Sequence, residues 1–175
     1  MKLRREVGGA ALLLALFAGA GCGYHVSGKA DLLPHDIRTI AVPAFANRTT
    51  RYQLTDEIPQ AIAREFLART RYAVVADAKD ADAVLRGAID NIVSYPVVFD
   101  QTTGRATAVE ILVTMQVHLY NRAGKELYAR QSMQLREQYE ISVNPKLYFD
   151  ESPAALTRLS GEAARMIVSG VLENF

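Results

Sequence analysis

Cys22 is the only cysteine in the chain, and it sits in "GAGCGYHVSG", residues 19–28, at the end of an apolar run. A disulfide needs a second cysteine, and a zinc site needs several ligands at set spacings. Neither condition is met. His25, His35 and His118 lie far apart, with no HExxH spacing, and no GxSxG, Walker loop or GxGxxG occurs. "DAKDAD" at 77–82 sets Asp77, Asp80 and Asp82 close together, but the glycine and closing glutamate of a calcium loop are missing. A solvated loop is expected there, and His118 is expected to be a solvated histidine on the polar face of a strand. Glu57 and Glu65 are helix-surface carboxylates, and Arg64 and Arg69 beside Glu65 account for it by surface ion pairing. These residue types point to a binding or structural protein and not to an enzyme.

The chemistry of Cys22 follows from its distance to the N-terminus. Lys2, Arg4 and Arg5 against Glu6 form a basic start, and Val7 to Ala20 is uncharged and mostly Ala, Leu and Gly. This is an export signal with an apolar region of about fourteen residues. It is short for a permanent anchor, which needs roughly twenty. Gly19, Ala20 and Gly21 then lead to Cys22, which resembles a bacterial lipobox, with Gly19 where Leu is typical. The resemblance implies cleavage after residue 21, an S-diacylglycerol and an N-acyl group on Cys22, and stable membrane anchoring. Gly23 is not the Asp that resembles an inner-membrane retention signal, so the outer membrane is implied. The alternative is ordinary cleavage near Ala20, leaving a free thiol.

Removing residues 1–21 leaves 154 of the 175 residues, enough for one domain with a sizeable core. The formal net charge of the whole chain is +1 and the signal supplies +2, so the remainder carries about −1. A near-neutral domain is no general nucleic-acid binder. The expected division is a signal peptide at 1–21, a lipidated tether at 22–36 and a single domain at 37–175.

The elements that position any site are legible from periodicity. "IRTIAVPAF" at 37–45 is a nearly continuous apolar run that fits a buried strand, with Pro43 suited to an edge or bulge. Residues 54–70 put Leu54, Ile58, Ala61, Ile62 and Phe66 on one helical stripe. Thr55 or Asp56 is expected to cap that helix, and Pro59 is expected to fall in its first turn. "YAVVAD" at 72–77 is a short strand or an extended connection. Residues 82–95 read as a strand ending at Tyr95–Pro96. Residues 107–120 give the clearest signal: Val109, Ile111, Val113, Met115, Val117 and Leu119 alternate with a polar set. "NRAGKE" at 121–126 offers a hairpin turn. Residues 127–141 alternate through Leu127, Ala129, Met133, Leu135, Tyr139 and Ile141. After the loop "SVNPKLYFDES", Ser152–Pro153 opens a final helix with Leu156, Leu159, Ala163, Ile167 and Val171 on its apolar stripe. The predicted order is β-α-β-β-β-α. The predicted fold class is α/β of the α+β type. Two helices pack on one face of a mixed, mainly antiparallel sheet of about four strands. The other face is polar without strong charge.

"CGYHVSG" together with "IRTIAVPAFANRTTRYQLTDEI" resembles the LptE-type lipopolysaccharide-assembly lipoproteins. Gly23, Tyr24, His25, Val26, Ser27 and Gly28 match the family's segment after the lipidated cysteine, and the resemblance covers essentially the whole mature chain. It implies no catalysis and no cofactor beyond the covalent lipid on Cys22. It also implies a 1:1 heterodimer with an LptD-type outer-membrane β-barrel. The chain would plug that barrel, help it assemble, and assist insertion of lipopolysaccharide into the outer leaflet.

A polar barrel lumen suits a plug of mixed surface. Lipopolysaccharide phosphates would be met by Arg and Lys on loops. The candidates are Arg105, Arg122, Lys125 and Lys146, with Arg48 and Arg51 as barrel contacts. Two other readings are open. An outer-membrane lipoprotein that activates a peptidoglycan synthase shares the strand signal, but often has a long linker to cross the periplasm. Here roughly fifteen residues of tether span on the order of 50 Å at most. A soluble periplasmic enzyme would require a convergent catalytic cluster.

Overall fold

The structure, a computed structural model, describes residues 33–34, 36–50, 52–142 and 151–173. The expected signal segment and Cys22 lie outside the described residues. In chain order the elements are β1 (Thr39–Ala41), β2 (Ala46–Asn47), α1 (Leu54–Arg69), β3 (Ala73–Val75), β4 (Ala83–Phe99), β5 (Ala106–Asn121), β6 (Glu126–Glu140) and α2 (Ser152–Glu173).

The alternation read in residues 107–120 holds along β5. Val109, Ile111, Val113, Met115, Val117 and Leu119 are buried, while Glu110, Leu112, Thr114, Gln116, His118 and Tyr120 are half-buried. A strand turns successive side chains to opposite faces, so one face of the sheet is sealed and the other stays open. Both helices seal the same face. The expected stripes of α1 and α2 are fully inside: Leu54, Ile58, Ala61, Ile62 and Phe66 on one, Leu156, Leu159, Ala163, Ile167 and Val171 on the other. Together they form one core with β5. Each of the larger aliphatic side chains contributes about 1.5–3 kcal/mol on full burial.

The sheet has six strands, not about four. Its order is β3-β1-β4-β5-β6, and β2 pairs with β4 beside β1. The extra strands arise because the run at 37–45 is a strand only over Thr39–Ala41, a second short strand follows it at Ala46–Asn47, and "YAVVAD" supplies β3. These short strands pair in parallel with one another or with β4, whereas β4, β5 and β6 form an antiparallel meander. Parallel pairing needs a crossover, and α1 provides it between β2 and β3.

Four local expectations are corrected. β4 does not stop at Tyr95 but runs through Pro96 to Phe99, with register shifts on either side of Val98. Pro96 is tolerated because β1 and β2 pair with β4 only as far as Ile89, leaving an open edge beyond it. Neither Thr55 nor Asp56 caps α1. The helix begins at Leu54 as expected, and its N-cap is Gln53, which has helical dihedrals and no side-chain cap. Pro59 therefore falls beyond the first turn, where its missing N–H cannot bond the Thr55 carbonyl. The Phe45 N–H bonds that carbonyl instead, at 3.1 Å. Finally, β6 does not keep one stripe. Register shifts opposite Met115–Val117 and Leu119–Tyr120 change its phase, so Tyr128 enters the core while Leu127 and Ala129 are half-buried.

Phe45 also explains a glycine. A Cβ on Gly87 would fall within the buried Phe45 ring. Gly87→Ala should cost about 1–3 kcal/mol by overpacking. The cost of the same change should shrink in a Phe45→Ala background. Urea unfolding followed by circular dichroism measures both, and strictly additive costs would show that the ring and the glycine do not constrain each other.

Candidate functional site

The open face of the β4–β5–β6 meander is the surface available for recognition. It is not bare polar surface, because acids on it are already engaged by neighbouring side chains. Tyr95 O–H donates to Glu110, which pushes the phenol's pKa up. His118 Nδ1 lies 2.8 Å from Glu126 Oε2, and its ring stacks on Tyr120 with centroids 5.9 Å apart. His118 was expected to be solvated. It is instead wedged between an acid and an aromatic ring, with 21% of its side chain exposed. Tyr120 has a raised pKa, from burial first and then from Glu126.

Arg48 joins this face. Its guanidinium reaches Asp90 at 3.0 Å, and Gln116 donates to the same carboxylate oxygen at 3.2 Å. Asp90 is the unpaired residue of a β-bulge between Ile89 and Asn91. The extra residue turns its carboxylate to where β2 ends. A partly exposed pair of this kind contributes only about 0–1 kcal/mol.

The candidate cations do not form one site. Arg105 stands at the hairpin between β4 and β5, whereas Arg122 and Lys125 stand in the turn between β5 and β6. These are opposite ends of β5, about 50 Å apart along the strand. Lys146 and Arg51 lie outside the described residues. The Arg105 hairpin is closed by Asp100, whose Oδ1 accepts from Thr102 N, Thr103 N and Thr103 Oγ1 at 3.1, 2.7 and 2.8 Å. These bonds, led by those from Thr103, hold the Asp100 carboxyl below its usual range. Gly104 completes the turn at φ +68°.

At the other end, the turn after β5 uses Gly124 at φ +80°, and the Asn121 side chain accepts from Lys125 N at 2.9 Å. The expected glycine hairpin is present.

Asp82 was read as part of a solvated loop, but it is the clamp of this end. Its Oδ2 accepts from Arg38 N at 3.0 Å, Thr39 N at 3.0 Å and Thr39 Oγ1 at 2.9 Å. Its Oδ1 lies 3.3 Å from Arg122 Nη2. The start of β1, the start of β4 and the end of β5 thus meet at one carboxylate. The Arg38 backbone bond first, then the Thr39 bonds, lower its pKa. Nothing local in "DAKDAD" signals this role, since every donor is about forty residues away in sequence. Glu65 does pair with Arg69, at 3.3 Å, as expected.

Among the described residues, no group of His, Cys, Asp and Glu could hold a metal ion, and no helix is long and apolar enough to cross a membrane. Fold and face together define a two-layer α+β binding domain whose open sheet presents hydrogen-bonding and aromatic side chains. The family profile described as LptE: Lipopolysaccharide-assembly matches residues 37–170, and the chain belongs to that family. It is a non-enzymatic assembly family and not one that binds a cofactor. The chain is therefore a lipopolysaccharide-assembly protein.

No curated protein matches the sequence. Solved structures share the fold at low identity. Uncharacterized lipoprotein B from Nitrosomonas europaea is 17% identical, with a TM-score of 0.57 over 86% of this chain and 90% of that one. A lipoprotein from Caulobacter crescentus is 14% identical, with a TM-score of 0.52 over 77% and 88%. A minor lipoprotein from Acinetobacter baumannii is 16% identical, with a TM-score of 0.51 over 81% and 95%.

The clamp sets a pH dependence. A carboxyl with a depressed folded pKa stabilises the fold above its unfolded value, near 3.9, and loses that contribution as pH falls through the folded value. Asp82→Ala should therefore unfold more easily than the native chain at neutral pH. The gap should narrow as pH drops below about 4. Thermal unfolding across that range is the measurement, and a gap independent of pH would refute the clamp.

Proposed function

We propose that the chain is an outer-membrane lipoprotein that plugs an LptD-type β-barrel, helps it assemble, and assists insertion of lipopolysaccharide into the outer leaflet. The signal at 1–21 is removed, Cys22 carries the N-acyl and S-diacylglycerol groups, and residues 22–36 tether the domain at 37–175. The observation that carries the reading is the assembly-family match over residues 37–170.

The geometry supports a plug. The sheet's open face carries Glu110, Thr114, Gln116, His118 and Tyr120, with its acids largely engaged in local pairs. Such a face can lie against a polar lumen wall without stripping water from unpaired acids. Acylation at Cys22 would hold it beside the barrel at high effective concentration. Arg105 on its closed hairpin, and Lys125 at the other end, would contact phosphates independently, because the strand keeps them apart. Arg48 is engaged with Asp90 and would offer the barrel a neutral pair.

Affinity purification from the native membrane should recover a large β-barrel that stays bound in detergent at one copy per chain. Recovery of a peptidoglycan synthase in its place would reassign the protein. Cys22→Ser should accumulate as an uncleaved precursor in the inner membrane. A normally processed, soluble product would remove the lipid anchor from the proposal.

A further inference from the structure

A second cationic site stands at the end of the domain where the tether joins. The Leu33 N–H donates to Tyr72 Oη at 2.8 Å, and Ala73 pairs with Thr39. The chain leading back to Cys22 therefore enters beside the start of β1. Asp82 binds that same start to Arg122. Between the loop before β4 and the turn after β5 lies a cleft of about 520 Å³, lined by Lys79, Arg86, Tyr120 and Arg122 with Ala81 and Val84.

Asp82, Glu126 and Asp77 beside this cleft are occupied, and so is Arg122, whereas Lys79 and Arg86 are not. Asp82 takes three donors from Arg38 and Thr39, besides its contact with Arg122. Glu126 is engaged by His118 and Tyr120. Asp77 accepts from the Lys79 N–H at 2.9 Å. The Lys79 ammonium and the Arg86 guanidinium have no hydrogen bond or ion pair to a described residue, and both residues are exposed. The free chemistry is thus two cationic donors, Lys79 and Arg86, beside the engaged Arg122 and above a partly apolar floor.

We propose that this cleft binds the phosphate of an anionic lipid headgroup in the leaflet that carries the anchor. Arg and Lys meet phosphate oxygens by charge-assisted hydrogen bonds. Val84, Ala81 and the Tyr120 ring accept the glycerol beside it. An inorganic phosphate would leave most of the cleft empty, which favours a headgroup over a free ion. The consequence is orientation. The tether end faces the bilayer, and the Arg105 hairpin points away from it. The inference rests on the membrane-anchored reading above, but concerns different residues from those assigned to the assembly role, apart from Arg122.

The test uses the purified lipoprotein in non-ionic detergent. Dihexanoyl-phosphatidylglycerol is titrated below its micelle concentration and followed by calorimetry, with dihexanoyl-phosphatidylcholine and inorganic phosphate as comparisons. Saturable binding of the glycerol lipid is expected, roughly tenfold tighter than either comparison. Lys79→Gln with Arg86→Gln should weaken it by about tenfold or more, with the melting temperature unchanged, and Arg64→Gln on the α1 surface should leave it intact. Absence of saturable binding, equal affinity for inorganic phosphate, or indifference to the double change would each overturn the proposal. No barrel is present in the titration, so it reads the cleft whether or not the barrel partnership holds.

Discussion

The rest of the structure depends on the buried row of β5, Val109 to Leu119 by twos. A single-residue slip in this strand would turn the whole row into water. That penalty fixes which face the helices must cover and therefore which face stays open. β4 and β6 flank the row, and both helices pack their apolar stripes on its sealed side. The bulges in the neighbouring strands are how the sheet absorbs residues that do not fit this phase. Asp90 is set out of the ladder of β4, and the shifts in β6 bring Tyr128 inward.

The first part of the domain is held to the meander by a few polar links and one aromatic ring. β1 and β2 are too short to hold β4 by pairing alone. Phe45 lies over Gly87, its N–H bonds the carbonyl that Pro59 leaves unmatched, and Asp82 ties β1 to β4 and to the turn beyond β5. Each of these links is long-range in sequence. Together they bring the tether, the start of the sheet and one basic turn to the same end.

This arrangement separates surfaces that a plug must keep distinct. The acids of the open face are engaged locally, through Tyr95 with Glu110, His118 with Glu126 and Arg48 with Asp90, while Arg86 and Arg136 stay solvated on it. It can therefore lie against a wall without burying lone acids. Arg105 is carried by a hairpin braced by Asp100 and Thr103, and Lys79 and Arg86 border the cleft near the tether. A long strand, rather than a pocket, sets the distance between them.

The sequence by itself determined the two helices, their stripes, the phase of β5 and the glycine turn at Gly124, because each is written in local periodicity or in one residue's backbone freedom. It also carried the resemblance to the assembly family. Tertiary structure decided what local patterns cannot encode. The shortening of the 37–45 run to β1 with a second strand beyond it, the passage of β4 through Pro96 and the phase change in β6 depend on which neighbours pair, and where that pairing ends. Asp82 looked like solvated charge because its partners come from residues far along the chain. That Asp82 draws Arg122 to the start of β1 and β4 was likewise decided by the fold alone, because the chain must return about forty residues later for the two to meet.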